Sequence, residues 1–149
     1  MPTPYDADNT KERERMRALV GQLDDDQLRR AANAEWTVAG VLAHLAFWDA
    51  RVVYFVERWL DGRLSPASME HEPEDVEWIN DAAARLGRAI PPRVAAEFVV
   101  SLAEEADRRV AELSAELVAA NEAAGDPVHL ARWEHRRAHL DEIELALAR

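Results

Sequence analysis

The sequence contains no cysteine and only one lysine, Lys11, among its 149 residues. Without cysteine the chain has no disulfide framework, no thiolate zinc site and no thiol nucleophile of its own. Any metal held by side chains must therefore be bound by His, Asp or Glu. Glycine is also scarce, with five in all, and there is no run of alternating β-branched or aromatic residues, which argues against a β-sheet.

Basic residues are outnumbered by acidic ones, 18 to 29, which gives a formal net charge of -11. A surface of this sign repels phosphate backbones and anionic lipid headgroups, so we expect neither nucleic acid nor a membrane as partner. No uninterrupted apolar run approaches the roughly 18 residues of a membrane span, and the N-terminal residues lack the apolar stretch of a signal peptide. The sequence therefore predicts a soluble, cytoplasmic protein with a single domain over residues 1–149.

Apolar residues recur at spacings of three and four over most of the chain, which predicts an all-α fold. The first helix is predicted to begin near Thr10, with the charged side chains of residues 11–17 facing water. It should end at the acidic run of residues 24–26, because carboxylates are unfavourable at the negative end of a helix dipole. The second helix is predicted from its cap Thr37 to Gly62.

Three further segments complete the predicted fold. A short amphipathic segment at residues 73–86, ended by Gly87, lies within a long connection. A third helix follows the proline pair and ends within residues 121–125. The last helix is predicted to open with Asp126 as its cap and Pro127 at its first position. Four long helices with a long crossover between the second and third predict a four-helix bundle.

Two histidines, His135 and His139, are four residues apart on the predicted last helix, so both imidazoles lie on one face. That face is small and apolar apart from Glu142, whereas the outer face carries Arg136, Arg137, Asp141 and Glu144. A third histidine, His44, lies on the flank of the apolar face of the second helix. Imidazoles from two helices can converge inside a bundle and leave coordination positions open for water or substrate.

Each of these residues also has an ordinary explanation. With five histidines in the chain, a pair four residues apart is frequent by chance, so the spacing alone is a weak motif. His44 could be a hydrogen-bonded core residue, and Glu142 either a surface carboxylate or a hydrogen-bond partner of a metal ligand. Trp48 could belong to the core or line a pocket. His71 and His129 have no evident partner and are interpreted as surface residues.

Two segments of the sequence, WTVAGVLAHLAFW at residues 36–48 and WEHRRAHLDEI at residues 133–143, resemble motifs of the DinB-like family of small bacterial metalloproteins. The resemblance covers most of the chain, since the order of helices and the long second connection also fit. It implies an up-down-down-up four-helix bundle, often dimeric, that holds a divalent metal, commonly Zn or Ni, on three histidines. Carried over to this sequence, the ligands would be His44, His135 and His139.

The wider DinB-like family includes mycothiol-dependent maleylpyruvate isomerase and bacillithiol S-transferases. The resemblance therefore implies an enzyme in which a metal presents a low-molecular-weight thiol, as thiolate, to a small-molecule substrate. Water in the same position would instead support hydrolysis. A third interpretation is a non-catalytic module in which a fourth protein ligand closes the metal site.

Two expectations accompany these interpretations. The long apolar helices make a homodimer plausible. The ligand imidazoles must be neutral, so metal affinity is expected to fall below about pH 6.5, the ordinary pKa of histidine.

Overall fold

The computed structural model describes residues 2–69 and 76–149. These residues form α-helices and no β-strand, which confirms the predicted all-α class. The helices are α1 (Asp6–Gln22), α2 (Asp25–Arg29), α3 (Val38–Leu60), α4 (Glu77–Ala89), α5 (Pro92–Ala111), α6 (Ala115–Ala123) and α7 (Arg132–Leu147). A 3-10 turn at Pro66–Ser68 and one isolated bridge between Ala31 and Thr37 are the other regular features of the described residues.

The four longest helices, α1, α3, α5 and α7, form the body of the structure. α5 packs against α1 and α3, and α7 packs against the same two helices. The buried side chains form two clusters, one that includes Met16 and Leu42 and another that includes Val56 and Val110. α4 lies against α3 and contains no buried residue. Each of these four helices packs against two of the others, and the four-helix bundle with its up-down-down-up order stays a prediction.

α3 begins where the sequence predicts. The hydroxyl of Thr37 accepts a hydrogen bond from the backbone N–H of Gly40 at 3.0 Å, which satisfies one of the free donors at the start of the helix. The predicted apolar face of α3 is buried except at three positions. Trp48 and Phe55 are partly buried, and Leu60 is exposed.

By length and composition α3 could cross a membrane, although His44, Asp49 and Arg51 interrupt its apolar sequence. In the structure 44% of that apolar segment is buried inside the protein. Asp49, near the middle of the helix, is 1% exposed and is paired with arginines of α7. These are properties of a core helix.

The start of the chain differs from the prediction. α1 begins at Asp6 rather than near Thr10, and the backbone N–H of Thr3 donates to the Asp6 carboxylate at 2.8 Å. The acidic run that was expected only to end a helix also begins one. The side chain of Asp24 accepts from the backbone N–H of Gln27 at 2.7 Å, and the side-chain oxygen of Gln27 accepts from the backbone N–H of Asp24 at 2.9 Å. The pair therefore forms a capping box for α2.

The predicted third helix ends within the expected range but is interrupted at residues 112–114. α5 ends at Ala111 and α6 begins at Ala115, because the Ser114 side chain accepts from the backbone N–H of Leu117 at 3.2 Å and caps a new helix. α4 also differs from its prediction, since it continues through Gly87 to Ala89. The predicted residues 73–75 of that segment lie outside the described residues.

The predicted start of the last helix at Asp126 and Pro127 is also wrong, since α7 begins at Arg132. Asp126 has a φ of 54°, a left-handed conformation that does not begin a helix. The buried Asn121 side chain bonds both backbone groups of Val128, with its Nδ2 donating to the carbonyl at 2.9 Å and its Oδ1 accepting from the N–H at 3.2 Å. These bonds hold the segment before α7 in a non-helical path.

Buried ion pairs join the helices, where the sequence predicted solvent-facing charge. Glu12, expected to face water, is 3% exposed and accepts from Arg137 at 3.1 Å. Arg136, expected on the outer face of the last helix, is 0% exposed. Its guanidinium donates to both oxygens of Asp107, at 2.9 and 2.8 Å, and to Asp49 at 3.3 Å. A buried charge is stable only when it is paired in this way.

The substitution Asp107→Ala should lower the free energy of unfolding by about 3–5 kcal/mol, because it removes the main partner of a buried guanidinium. The matched control is Glu104→Ala on the same helix, which removes a half-exposed partner of Arg17 and should cost less than about 1 kcal/mol. Urea unfolding followed by circular dichroism measures both values. Equal losses in the two variants would show that the buried pair contributes no more than the surface pair.

Candidate metal centre

His44 of α3 and His135 and His139 of α7 meet between the two helices. The Nε2 atoms of His44 and His135 are 3.1 Å apart. The centroids of the three rings are 4.9 to 5.0 Å apart, and each pair is arranged edge to face. One ring nitrogen from each histidine lies within 4.8 Å of the other two, so the cluster could hold a divalent metal ion. The structure thus brings together the three residues that the sequence singled out.

The donor set fits a transition metal. Nitrogen ligands on tetrahedral zinc, with bonds of about 2.0–2.1 Å, are separated by about 3.3 Å. The separation of 3.1 Å between the His44 and His135 nitrogens is close to this value. Neutral imidazole suits Zn or Ni, whereas Mg and Ca prefer oxygen ligands.

Burial keeps two of the imidazoles neutral. It lowers the pKa of His44 to about 4, with smaller effects from the charges of His139 and Arg132. Burial also lowers the pKa of His135 to about 2, followed by the charge of Arg132. Only a neutral ring nitrogen binds a metal, so both rings are in the ligand form at neutral pH. For these two rings the expected competition by protons below about pH 6.5 is moved to lower pH.

Arg132 lies beside the cluster and is fixed by an ion pair. Its Nε donates to Asp49 at 2.7 Å, and its Nη2 lies 3.3 Å from Nδ1 of His135. Because a guanidinium can only donate, Nδ1 is the acceptor here and the proton of the neutral ring is on Nε2, facing His44. Binding a metal through Nε2 would require the proton of the neutral ring to be on Nδ1, where it would face the Arg132 guanidinium, so His135 could act as a ligand only if this contact changed.

Glu142 lies on the other side of the cluster. Its Oε1 is 3.4 Å from Nδ1 of His139, and it also accepts from Nδ2 of Asn33 at 3.4 Å. A carboxylate next to Nδ1 favours a proton on that atom and leaves Nε2 free to bind a metal. The structure therefore places Glu142 where a hydrogen-bond partner of a histidine ligand is expected.

The described residues Trp48 and His129, also singled out by the sequence, have other partners. Trp48 donates from its indole N–H to Asn80 at 2.9 Å and so joins α3 to α4. His129 is exposed and pairs with Glu134 at 2.9 Å, as expected of a surface residue. His71 lies outside the described residues.

Sequence reasoning missed Trp36 as part of the site. It entered only as the first residue of the motif at residues 36–48, but its ring centroid lies 4.6 Å from that of His44 and 6.5 Å from that of His139. Trp36 precedes the Thr37 cap and lies outside α3, so helical spacing gave no signal for it. Trp36 and His44 also share the wall of a cavity of about 560 Å³ between α3, α4 and α5.

Comparison with known proteins gives one match. A family model described as the mycothiol maleylpyruvate isomerase N-terminal domain matches residues 10–145. The matched region contains all three histidines of the cluster and both segments that resemble DinB-like motifs. No curated protein and no solved structure matches the chain.

The metal-free protein should lose stability as the pH falls from about 6.5 toward about 4. Unfolded histidines take up protons near pH 6.5, whereas folded His44 and His135 remain neutral to lower pH, so acid favours the unfolded state. Urea unfolding midpoints measured with a chelator at about pH 7.5 and about pH 5.5 should differ.

The pH dependence should be smaller in His135→Gln than in the wild type, because the variant lacks one of the two rings that burial keeps neutral. Comparing the two midpoints within each protein removes any general effect of the substitution on stability. An undiminished difference in His135→Gln would mean that this ring is not held neutral by burial.

Proposed function

Because the chain belongs to the family of the mycothiol maleylpyruvate isomerase N-terminal domain, a DinB-like family as its sequence predicted, we propose that it is a metal-dependent thiol transferase or isomerase. In this proposal His44, His135 and His139 hold one Zn or Ni ion. The observation that carries the proposal is the convergence of these side chains from two helices, with one nitrogen of each within 4.8 Å of the others.

The composition of the cluster supports an open, reactive site over a closed, structural one. Among residues 2–69 and 76–149, the group of possible ligands that meets this distance consists of the three histidines alone. A structural zinc site has four protein ligands, whereas three leave a position for water or substrate. Glu142 contacts His139 from outside the group and is assigned to orienting that ring.

The thiol in this proposal belongs to a cosubstrate, since the chain contains no cysteine. When bound, a divalent metal lowers the pKa of a thiol that it contacts. The protein contributes neutral imidazoles, and Glu142 favours the tautomer of His139 that leaves Nε2 free. In the transfer, the thiol loses its proton to water and its sulfur bonds to an electrophilic carbon, while the leaving group takes the bonding electron pair.

The proposal also covers the compartment, the partners, the domain organisation and the oligomeric state of the protein. The net charge of -11 supports a protein of the cytoplasm that acts on a small molecule and not on nucleic acid or a membrane. The contacts among the four long helices support one domain, and the up-down-down-up order is proposed from the family resemblance. The exposed side chains of Trp78 and Leu145, which lie outside the cavity described below, support a homodimer, because exposed apolar groups are common at such interfaces.

Purified wild-type protein should contain close to one transition metal per chain, measured by elemental analysis. The variants His44→Ala, His135→Ala and His139→Ala should each lose most of it, because two remaining imidazoles bind a metal far more weakly than three. Added metal should raise the melting temperature of the wild type and not that of these variants, since it binds the folded state.

His129→Ala is the matched control for metal content, since it removes an exposed histidine three residues before the start of α7. It should keep the metal and its effect on melting temperature. Loss of metal in His129→Ala together with retention in His44→Ala would show that the ligands are assigned wrongly.

Metal-loaded protein should transfer at least one low-molecular-weight thiol to the neutral electrophile monochlorobimane, followed by fluorescence. The thiols to compare are mycothiol, bacillithiol, glutathione, coenzyme A and cysteine. The rate should exceed that of metal-free protein and of metal-treated His139→Ala, because both lack the complete site. If no thiol reacts faster than with metal-free protein, the transferase proposal fails and hydrolysis becomes the reaction to test.

A further inference from the structure

The cavity next to His44 is the feature that the thiol chemistry leaves unexplained. Its volume of about 560 Å³ falls within the range of small-molecule sites, about 300–1,000 Å³. α3 and α5 form two of its walls and α4 closes a third side. The hydrogen bond from Trp48 to Asn80 attaches α4 to α3 at one edge of this space.

The space exists because the helices face each other through small side chains. Ala43, Ala46 and Ala50, spaced by three and four residues on one face of α3, lie in the wall. α4 contributes Ala83 and Gly87, and a Cβ atom placed on Gly87 would be 3.4 Å from that of Ala43. The backbones of α3 and α4 approach each other at Gly87. Elsewhere between these helices the alanine side chains are too small to fill the space. Larger apolar side chains complete the wall: Phe47, Leu86, Ile90, Phe98 and Leu102.

The cavity is suited to an uncharged occupant. Its charged lining residues, Arg29, Glu35 and Arg88, are all exposed and therefore belong to the rim. The side-chain oxygen of Asn80 already accepts from Trp48, and the hydroxyl of Thr37 already accepts from the helix start. An ionised group in the interior would lose its hydration without gaining a charged partner, which is costly.

The cavity and the histidine cluster share one wall. His44 and Trp36 line the cavity, while Nε2 of His44 points to His135, which lies outside the lining. A molecule in the cavity would therefore contact the ring of one member of the cluster and the indole that packs on it. We propose that this cavity binds the uncharged, apolar body of the electrophile that reacts at the three histidines. The identity of the occupant as a substrate rests on the proposed function, whereas the binding of an apolar molecule does not.

The binding test uses N-phenylnaphthylamine, a neutral probe whose fluorescence rises in apolar surroundings, with the metal-free full-length chain. The probe should saturate at one per chain. Anilinonaphthalene sulfonate, which has nearly the same shape and one negative charge, should bind at least about tenfold more weakly. Probe that binds to other exposed apolar residues, or between two chains, would not be displaced by a substitution inside the cavity, which the variants below test.

Ala83→Leu places a larger side chain in the cavity from α4, a helix without buried residues, so the fold should tolerate it. It should weaken binding of the neutral probe at least about tenfold. Ala89→Leu makes the same change on the same helix at an exposed position outside the lining, and it should stay within about twofold of the wild type. Circular dichroism and metal content should be unchanged in both.

In the transfer assay, Ala83→Leu should raise the KM for monochlorobimane and leave the KM for the thiol unchanged. The cavity proposal is overturned if Ala83→Leu and Ala89→Leu bind the neutral probe equally, if the wild type does not bind it, or if the sulfonate binds equally well. Probe binding is measured without metal, so failure of the histidines to hold a metal leaves this result intact. Binding of metal without binding of the probe would overturn the cavity proposal alone.

Discussion

The buried guanidinium of Arg136 is the constraint on which the arrangement of the helices depends. It is 0% exposed and is paired with Asp107 of α5 and Asp49 of α3. An unpaired charge in this place would cost several kcal/mol, so α7 can pack only in the position that gives Arg136 both carboxylates. Apolar contacts are non-directional and would tolerate small shifts along the helix axis, whereas these hydrogen bonds do not.

The same ion pairs position the histidines. His135 lies between Arg132 and Arg136 in sequence, and both arginines are paired with Asp49. Asp49 follows His44 by five residues on α3, so the contact between α3 and α7 has a charged layer next to a histidine layer. Fixing the charged layer fixes the separation of the rings. A second consequence is electrostatic, because burial beside Arg132 keeps His135 neutral and available to a metal.

What the sequence could predict depended on local rules. The spacing of His135 and His139 and the cap at Thr37 each act within a single helix, and the structure agrees with both. The early end of α5 had a local signal in Ser114, which was overlooked because the apolar spacing continued past it. The late start of α7 had no local signal, because it depends on the hydrogen bond from the Asn121 side chain to the backbone of Val128, seven residues away.

The predicted exposure of charged residues was also wrong in places, because apolar periodicity assigns every arginine and glutamate to the solvent-facing side of a helix. Arg136 and Glu12 are buried because partners on other helices compensate them, and no pattern within one helix reveals those partners. The cluster itself needed two helices, and periodicity placed His44 only on a flank of α3. The resemblance to DinB-like proteins, confirmed by the family match, implied the same three histidines that reasoning from the residues had reached.

The cavity and the buried histidines, which favour function, are both unfavourable for the stability of the fold. Small side chains facing each other across α3 and α4 leave a space whose lining lacks packing partners, and buried imidazoles lose the hydration that would favour their charged form. Both lie along α3, on its sides toward α4 and α7. The opposing contributions are the two apolar clusters and the ion pairs of Arg136, which connect α7 to α3 and α5. Because α7 is held by these ion pairs and α4 has no buried residue to displace, the histidine positions can stay fixed while the cavity admits a molecule.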